Sequence, residues 1–342
     1  MPRPRLTFFC ELDCASLQEL FSSPRLIEDL KSLQAKVSMG ILDFSDERAK
    51  IIRQLNENGI AIIAWLLLPE EQGYWFNLDN YPQAHSLYRS FREWTRHQGL
   101  VWDAIGIDIE PDIRETKRLF RNKWALAPLW IKRTFDRKTL KHAQFNYNAL
   151  VEQMHTDGYV VECYQFPVII DERMLKSTFM QRVLRVVDIP SDREVLMLYS
   201  HFFRPLGMGM LWSYAPQAQA IAVGSTGGGV DGELAQFHPL SYQELERDLR
   251  LAWHWCDDLY IYSLEGCLQQ GFLEQLKAFE WDRPMLPPIE ATQTVNRLRC
   301  VLQYWLWITA HPTWIVASLG AFLFLVAQLR HNTQQRGRYG KG

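Results

Sequence analysis

The chain is poor in the residues that would make it a disulfide scaffold, a zinc module or a nucleic-acid binder. Its 342 residues hold only 6 cysteines, and Cys10, Cys14, Cys163, Cys256, Cys267 and Cys300 fall without a Cys-x-x-Cys pair or histidines at ligand spacing. Such scatter reads as free thiols and favours a reducing compartment. A basic excess is also missing. Lys and Arg number 37 against 39 Asp and Glu, a net charge of -2, so there is no general positive field for nucleic acid. The 9 histidines form no metal pair or triad pattern, and only His201 falls near a predicted strand end. The apolar run at the N-terminus stops after a few positions, too soon for a secretory signal. No motif asks for a cofactor.

Apolar sequence is what the chain has in quantity, with 47% hydrophobic and 22% charged positions, enough to bury the core of one large domain. β-type runs at 5–11, 37–44, 60–68, 104–109, 160–165, 195–200, 220–224 and 259–263 alternate with helical patterns at 46–58, 83–97, 138–156, 171–183, 241–255 and 268–279. The helices supply the crossovers that parallel strands need. Eight such units predict an α/β fold, a (β/α)8 TIM barrel over residues 1–280, in preference to an open doubly wound sheet.

Prolines 284, 287 and 288 mark 281–298 as a linker and juxtamembrane segment. Residues 313–329 then give 17 uncharged, mostly apolar positions, near the lower limit for a spanning helix. Tyr304, Trp305, Trp307 and Trp314 crowd its start, and Arg330, His331, Arg336, Arg338 and Lys341 follow it. The expectation is a C-terminal transmembrane helix at about 313–329 within an anchoring segment 299–330, followed by a basic tail at 331–342. The anchor is single-pass, or re-entrant with a turn at Pro312, and the barrel is expected on the cytoplasmic side. Between 114 and 141 lie ten Lys or Arg and two acids, interleaved with Leu129, Trp130, Ile131 and Phe135. This stretch suits anionic lipid headgroups or an anionic substrate, or is an ordinary solvated helix pair.

In barrels of this kind chemistry gathers at the carboxyl ends of the strands. The fourth predicted strand ends in Gly106-Ile-Asp-Ile-Glu110, and alternation places Gly106, Asp108 and Glu110 on one face. Burying two acids there costs several kcal/mol unless they are paired or put to use. Glu11, Tyr164, Tyr199, Tyr262 and Glu265 stand at other strand ends, with Trp65 and Trp75 as candidate stacking platforms for sugar rings. Glu110 and Glu265, on strands facing each other across a barrel, suit the longer carboxyl separation of an inverting glycosidase, and Glu11 is a further partner.

The segment Asp103-Ala-Ile-Gly-Ile-Asp-Ile-Glu110 resembles the Asp-Gly-x-Asp-x-Asp-x-Glu strand of the chitinase-like family 18 glycoside hydrolases, which are (β/α)8 barrels. Met197-Leu-Tyr-Ser200 resembles that family's Met-x-Tyr-Asp strand, and Ile261-Tyr-Ser-Leu-Glu-Gly266 its last strand, where an aromatic residue floors the sugar site. The family's second Asp is Gly106 here, its strand-six Asp is Ser200 and its last-strand Trp is Tyr262. The resemblance implies that Glu110 protonates the glycosidic oxygen while the substrate's own acetamido group attacks. Asp108 would orient that group and Tyr199 would donate a hydrogen bond to it. It also implies a carbohydrate or glycolipid substrate and no metal; nucleic acid is not expected, and a membrane is the expected second partner.

Two other classes stay open. Gly224-Ser-Thr-Gly-Gly-Gly229, with Gly227 and Gly228 at its centre, suits phosphate held by backbone N–H groups. With Glu11, Asp13, Asp108 and Glu110 as Mg²⁺ ligands it would serve a phosphodiesterase acting on a phosphorylated or lipid-linked substrate. The third class is a non-catalytic barrel that binds a glycan or a protein.

Overall fold

The computed structural model describes residues 3–122, 126–229 and 238–311. The eight expected strands are β1 (Arg5–Cys10), β2 (Lys36–Ile41), β3 (Ile62–Leu66), β4 (Ala104–Asp108), β5 (Val161–Gln165), β6 (Arg193–Met197), β7 (Ala220–Gly224) and β8 (Asp258–Tyr262). All pair in parallel with their chain neighbours, and β1 closes the ring on β8. Helices α1 (Cys14–Phe21) and α2 (Pro24–Ser32) follow β1, α3 (Asp46–Glu57) follows β2 and α4 (Tyr81–Gln98) follows β3. After β4 come α5 (Ile113–Arg121), α6 (Ala127–Arg133) and α7 (Arg137–Thr156), and after β5 come α8 (Val168–Leu175) and α9 (Phe179–Leu184). The remaining helices are α10 (Gly207–Tyr214), α11 (Tyr242–Trp253), α12 (Leu264–Gln269), α13 (Phe272–Lys277) and α14 (Ile289–Ala310).

Alternation along each strand divides the apolar residues into two cores. Outward residues such as Phe8, Val37, Ile105, Ile107, Cys163 and Ile261 pack under the helices. Inward residues fill the barrel, where Phe9, Trp65, Tyr164, Tyr260 and Tyr262 meet Ala104, Ala220 and Ala222 on the facing strands. Small side chains there leave room for five large rings. At the amino end of the strands Glu162 accepts hydrogen bonds from Tyr260 Oη at 2.7 Å and Arg193 Nη1 at 3.0 Å, and Arg5 pairs with Asp258 at 2.6 Å.

Three expectations are corrected by local physics. The helix expected over 171–183 is two, because Lys176 takes a left-handed backbone (φ 53°) and Glu172 accepts the Met180 and Gln181 N–H groups that open α9. The helix expected over 268–279 is broken at Gly271 (φ 69°). The linker ends at residue 288, since α14 begins at Ile289 and lies against α8 and α10. A Cβ on Gly209 of α10 would stand 2.5 Å from the Ala291 carbonyl, so glycine permits this close approach. Asp171, fully buried on α8, accepts Arg299 Nη2 at 2.8 Å and Gln303 Nε2 at 2.7 Å, which clamps α14 to the barrel. Among the described residues no helix is long and apolar enough to cross a membrane; the expected span at 313–329 and the tail at 331–342 lie outside them.

Candidate functional site

A cavity of about 690 Å³ opens at the carboxyl end of the strands. Its floor is the upper layer of barrel rings, Phe9, Trp65, Tyr164 and Tyr262, with Phe9 edge-on to Tyr164 at 4.8 Å and to Trp65 at 5.1 Å. Asp108 and Glu110 at the end of β4, Glu11 just past β1, and Trp75 and Tyr199 line it as well. The cavity thus gathers eight of the residues singled out from the sequence, Glu11, Trp65, Trp75, Asp108, Glu110, Tyr164, Tyr199 and Tyr262.

Gly106, one inward step below Asp108, has no room for a side chain. A Cβ there would lie 2.3 Å from the Tyr164 hydroxyl, which is itself bonded to Ser38 Oγ at 2.7 Å. Tyr164 therefore fills the space where the family 18 pattern carries its second acid. Ser200 is turned away too, its hydroxyl donating to buried Asp248 behind the barrel wall.

The acids that remain form a dry cluster. Asp108 is 3% exposed, and its Oδ1 has no hydrogen-bond partner among the described residues. Burial, and then the charge of Glu11, push its carboxyl well above the usual range. Glu11 accepts from the Tyr74 and Tyr262 hydroxyls. Glu265, at the start of α12, accepts the Glu11 backbone N–H at 3.4 Å, and its Oε2 has no donor among the described residues. Burial raises its carboxyl to about 7, and Glu11 adds to the shift. Burial thus favours the neutral form of Asp108 and brings Glu265 to exchange its proton near neutral pH, and in its neutral form either carboxyl donates a hydrogen bond. Glu110 is half-buried and lines the cavity; its backbone N–H donates to the Phe76 carbonyl at 3.2 Å, which ties the end of β4 to the loop after β3.

Glu265, Gly227 and Gly228 do not line the cavity. The glycine loop folds down on the acids: a Cβ on Gly228 would lie 2.4 Å from Glu265 Cγ, and one on Gly229 2.2 Å from Glu11 Oε2. The Gly227 N–H is bonded to Ser225 Oγ at 3.1 Å, and its carbonyl accepts from Ser263 Oγ. The loop packs over Glu265 and occupies the Gly227 N–H, and Glu265 is not among the residues that line the cavity with Glu110. Asp13, the other metal ligand proposed for a phosphodiesterase, caps α1 through Ser16 N at 2.9 Å. Among the described residues no group of three or more His, Cys, Asp or Glu is placed to hold a metal ion.

Three contributions could not be read from the sequence motifs. Tyr74 reaches Glu11 from the loop after β3. Arg299, Leu298 and Leu302 come from α14, far along the chain. The upper wall is apolar, built from Leu119, Leu184, Phe203, Met210 and these α14 leucines.

No family model matches the chain, and no curated protein is similar to it. Solved structures that share its architecture include a family 18 chitinase from Pseudoalteromonas aurantia, at 9% identity over 81% of this chain and 100% of that one, TM-score 0.45. An L-ribulose 3-epimerase aligns at 10% identity over 92% of this chain and 98% of that one, TM-score 0.43. The HMG-CoA lyase from Brucella melitensis aligns at 9% identity over 87% of this chain and 99% of that one, TM-score 0.37. Fold and site define an α/β barrel with a ring-floored cavity, lined by acidic side chains, at the carboxyl end of its strands. Likeness of this degree is shared among enzymes of unrelated chemistry, so the reading of the site rests on its own geometry.

Proposed function

We propose that this barrel cleaves a glycosidic bond, with Glu110 as the general acid. The observation that carries the reading is the joint placement of Asp108, Glu110, Tyr199 and Tyr262 on one ring-floored cavity. Glu110, half-buried, protonates the leaving oxygen. Asp108, whose neutral form burial favours, donates a hydrogen bond to an acceptor on the bound sugar, and water adds to the oxocarbenium-like anomeric carbon as the leaving alcohol departs, giving its proton back to the Glu110 carboxylate. Aromatic faces suit pyranose rings, and the apolar upper wall suits a sugar carried on a hydrocarbon aglycone.

The test uses the full chain in detergent against aryl and alkyl glycosides with and without a 2-acetamido group. Turnover by the parent that falls at least about 100-fold in Glu110→Gln, with thermal unfolding unchanged, is the expected result. A variant as fast as the parent removes Glu110 from the mechanism. The binding-only reading is favoured by one feature, Tyr164 standing where the family's second acid would be. Saturable quenching of tryptophan fluorescence by a glycoside that is never cleaved would support that reading instead.

A further inference from the structure

A second, smaller pocket of about 180 Å³ lies away from the barrel mouth, where the C-terminal end of α14 meets α7, α9 and the turn between α8 and α9. Arg137 and Lys141 of α7, Lys176 of the turn and Arg182 of α9 line it together with Thr178 and Thr309, and no carboxylate does. The nearby acids are engaged elsewhere. Asp136 bonds Arg185 and the Thr139 N–H, and Glu172 bonds the Met180 and Gln181 N–H groups. Arg182 is 4% exposed and spends its donors on the Thr134 and Thr178 carbonyls, while Arg137, Lys141 and Lys176 have no ion pair among the described residues. Four cations around one small hollow repel each other, and an anion seated there relieves that repulsion.

The elements that line the hollow and the neighbouring α6 expose large apolar side chains. Phe135, two residues before Arg137, is 82% exposed, and Met174, two residues before Lys176, is 63% exposed. Ile131 on α6 is 70% exposed, and Tyr304, Trp305 and Trp307 stand out from the last turns of α14. From Ala310 the chain runs directly into the 17 uncharged residues of 313–329. Aromatic and aliphatic side chains around a cationic centre, beside a long apolar segment, match the interface of a bilayer, where rings sit at headgroup depth and Lys and Arg meet phosphate.

We propose that this pocket holds the phosphate of an anionic phospholipid headgroup, seating the barrel on a membrane surface by the α6, α9 and α14 side. The inference is independent of the chemistry assigned to the barrel mouth.

The test uses the full chain in neutral detergent, titrated with short-chain phosphatidic acid, short-chain phosphatidylcholine or inorganic phosphate while thermal unfolding is followed. The expected result is that phosphatidic acid raises the melting temperature. The double variant Lys141→Gln/Lys176→Gln, which changes two exposed side chains, should unfold like the parent without lipid and need about thirtyfold more phosphatidic acid for the same shift. No response to phosphatidic acid, an equal response in the double variant, or an equal response to phosphatidylcholine overturns the proposal. Inorganic phosphate acting as strongly as the lipid overturns the assignment to a headgroup and leaves a free-phosphate site in its place.

Discussion

Adding one methyl group at Gly106 puts the filling of the barrel interior to a quantitative test. In Gly106→Ala the new Cβ lies 2.3 Å from the Tyr164 hydroxyl oxygen and 2.7 Å from its Cζ. The tyrosine has little freedom to give way: it is fully buried, tied to Ser38 Oγ at 2.7 Å and set edge-on against Phe9 at 4.8 Å. Overpacking of a close-packed interior costs about 1–3 kcal/mol, and pulling a buried hydroxyl off its partner adds about 1 kcal/mol. The expected loss for Gly106→Ala is therefore about 2–4 kcal/mol. Tyr164→Phe removes the nearest clashing atom and by itself costs about 1 kcal/mol for the lost hydrogen bond. The double variant should then be more stable than the sum of the two single changes by about 1–2 kcal/mol. Urea unfolding of the four proteins, followed by tryptophan fluorescence, reads the whole cycle. A Gly106→Ala protein within about 0.5 kcal/mol of the parent, or single effects that simply add, refutes the argument that Tyr164 has taken the acid's place.

Two further perturbations follow from the same geometry. Glu265 titrates near 7 when folded and near 4.5 in the open chain. Its contribution to stability is therefore complete below 4.5 and is lost as pH rises through 7, by about 3 kcal/mol in all. Measured against Glu265→Gln, whose side chain does not ionise, the parent should lose that amount between pH 4.5 and 8; parallel pH curves would dismiss the buried neutral carboxyl. Arg299→Met leaves fully buried Asp171 with only Tyr214 and Gln303 as donors, at a cost of about 3 kcal/mol. Faster proteolysis or hydrogen exchange within 289–310 should accompany it, and an unaltered exchange pattern there would show that α14 is held by its apolar contacts alone.

The eight strands were legible because each buries both faces of a short apolar run, a signal carried by a handful of adjacent residues. Asp108, Glu110 and Tyr199 were legible for a related reason: a polar residue at the end of such a run has few places to go except the barrel mouth. The break at Lys176 was not, since a left-handed lysine carries none of the glycine signature that marks Gly271. Nor was the docking of α14. Its decisive contact joins Asp171 to Arg299, residues 128 positions apart, and nothing local to either tells that the other exists. The same holds for Tyr74 on Glu11, which joins the loop after β3 to the end of β1, and for Tyr164 against Gly106, which the β4–β5 register brings together. Glu265 misled because strand order predicts which residues reach the mouth but not which loop folds over them, and the glycines of 227–229 do so here.

The two ends of the barrel treat buried acid differently, and the contrast bears on function. At the amino end Glu162 is 1% exposed yet has both Tyr260 and Arg193 as donors, and Asp258 has Arg5. Charge is balanced there as a fold requires. At the carboxyl end Asp108 Oδ1 and Glu265 Oε2 are as deeply buried and have no donor among the described residues. Each such oxygen costs about 1–3 kcal/mol, an expense that a sequence shaped only for stability removes by placing an apolar residue or a cation there. No packing demand explains it, since Phe9, Trp65 and Tyr262 already fill the layer beneath. Asp108 lines the cavity at the carboxyl end, where a ligand's hydroxyl or amide groups can supply its missing partner on binding, whereas Glu265 lies beneath the glycine loop.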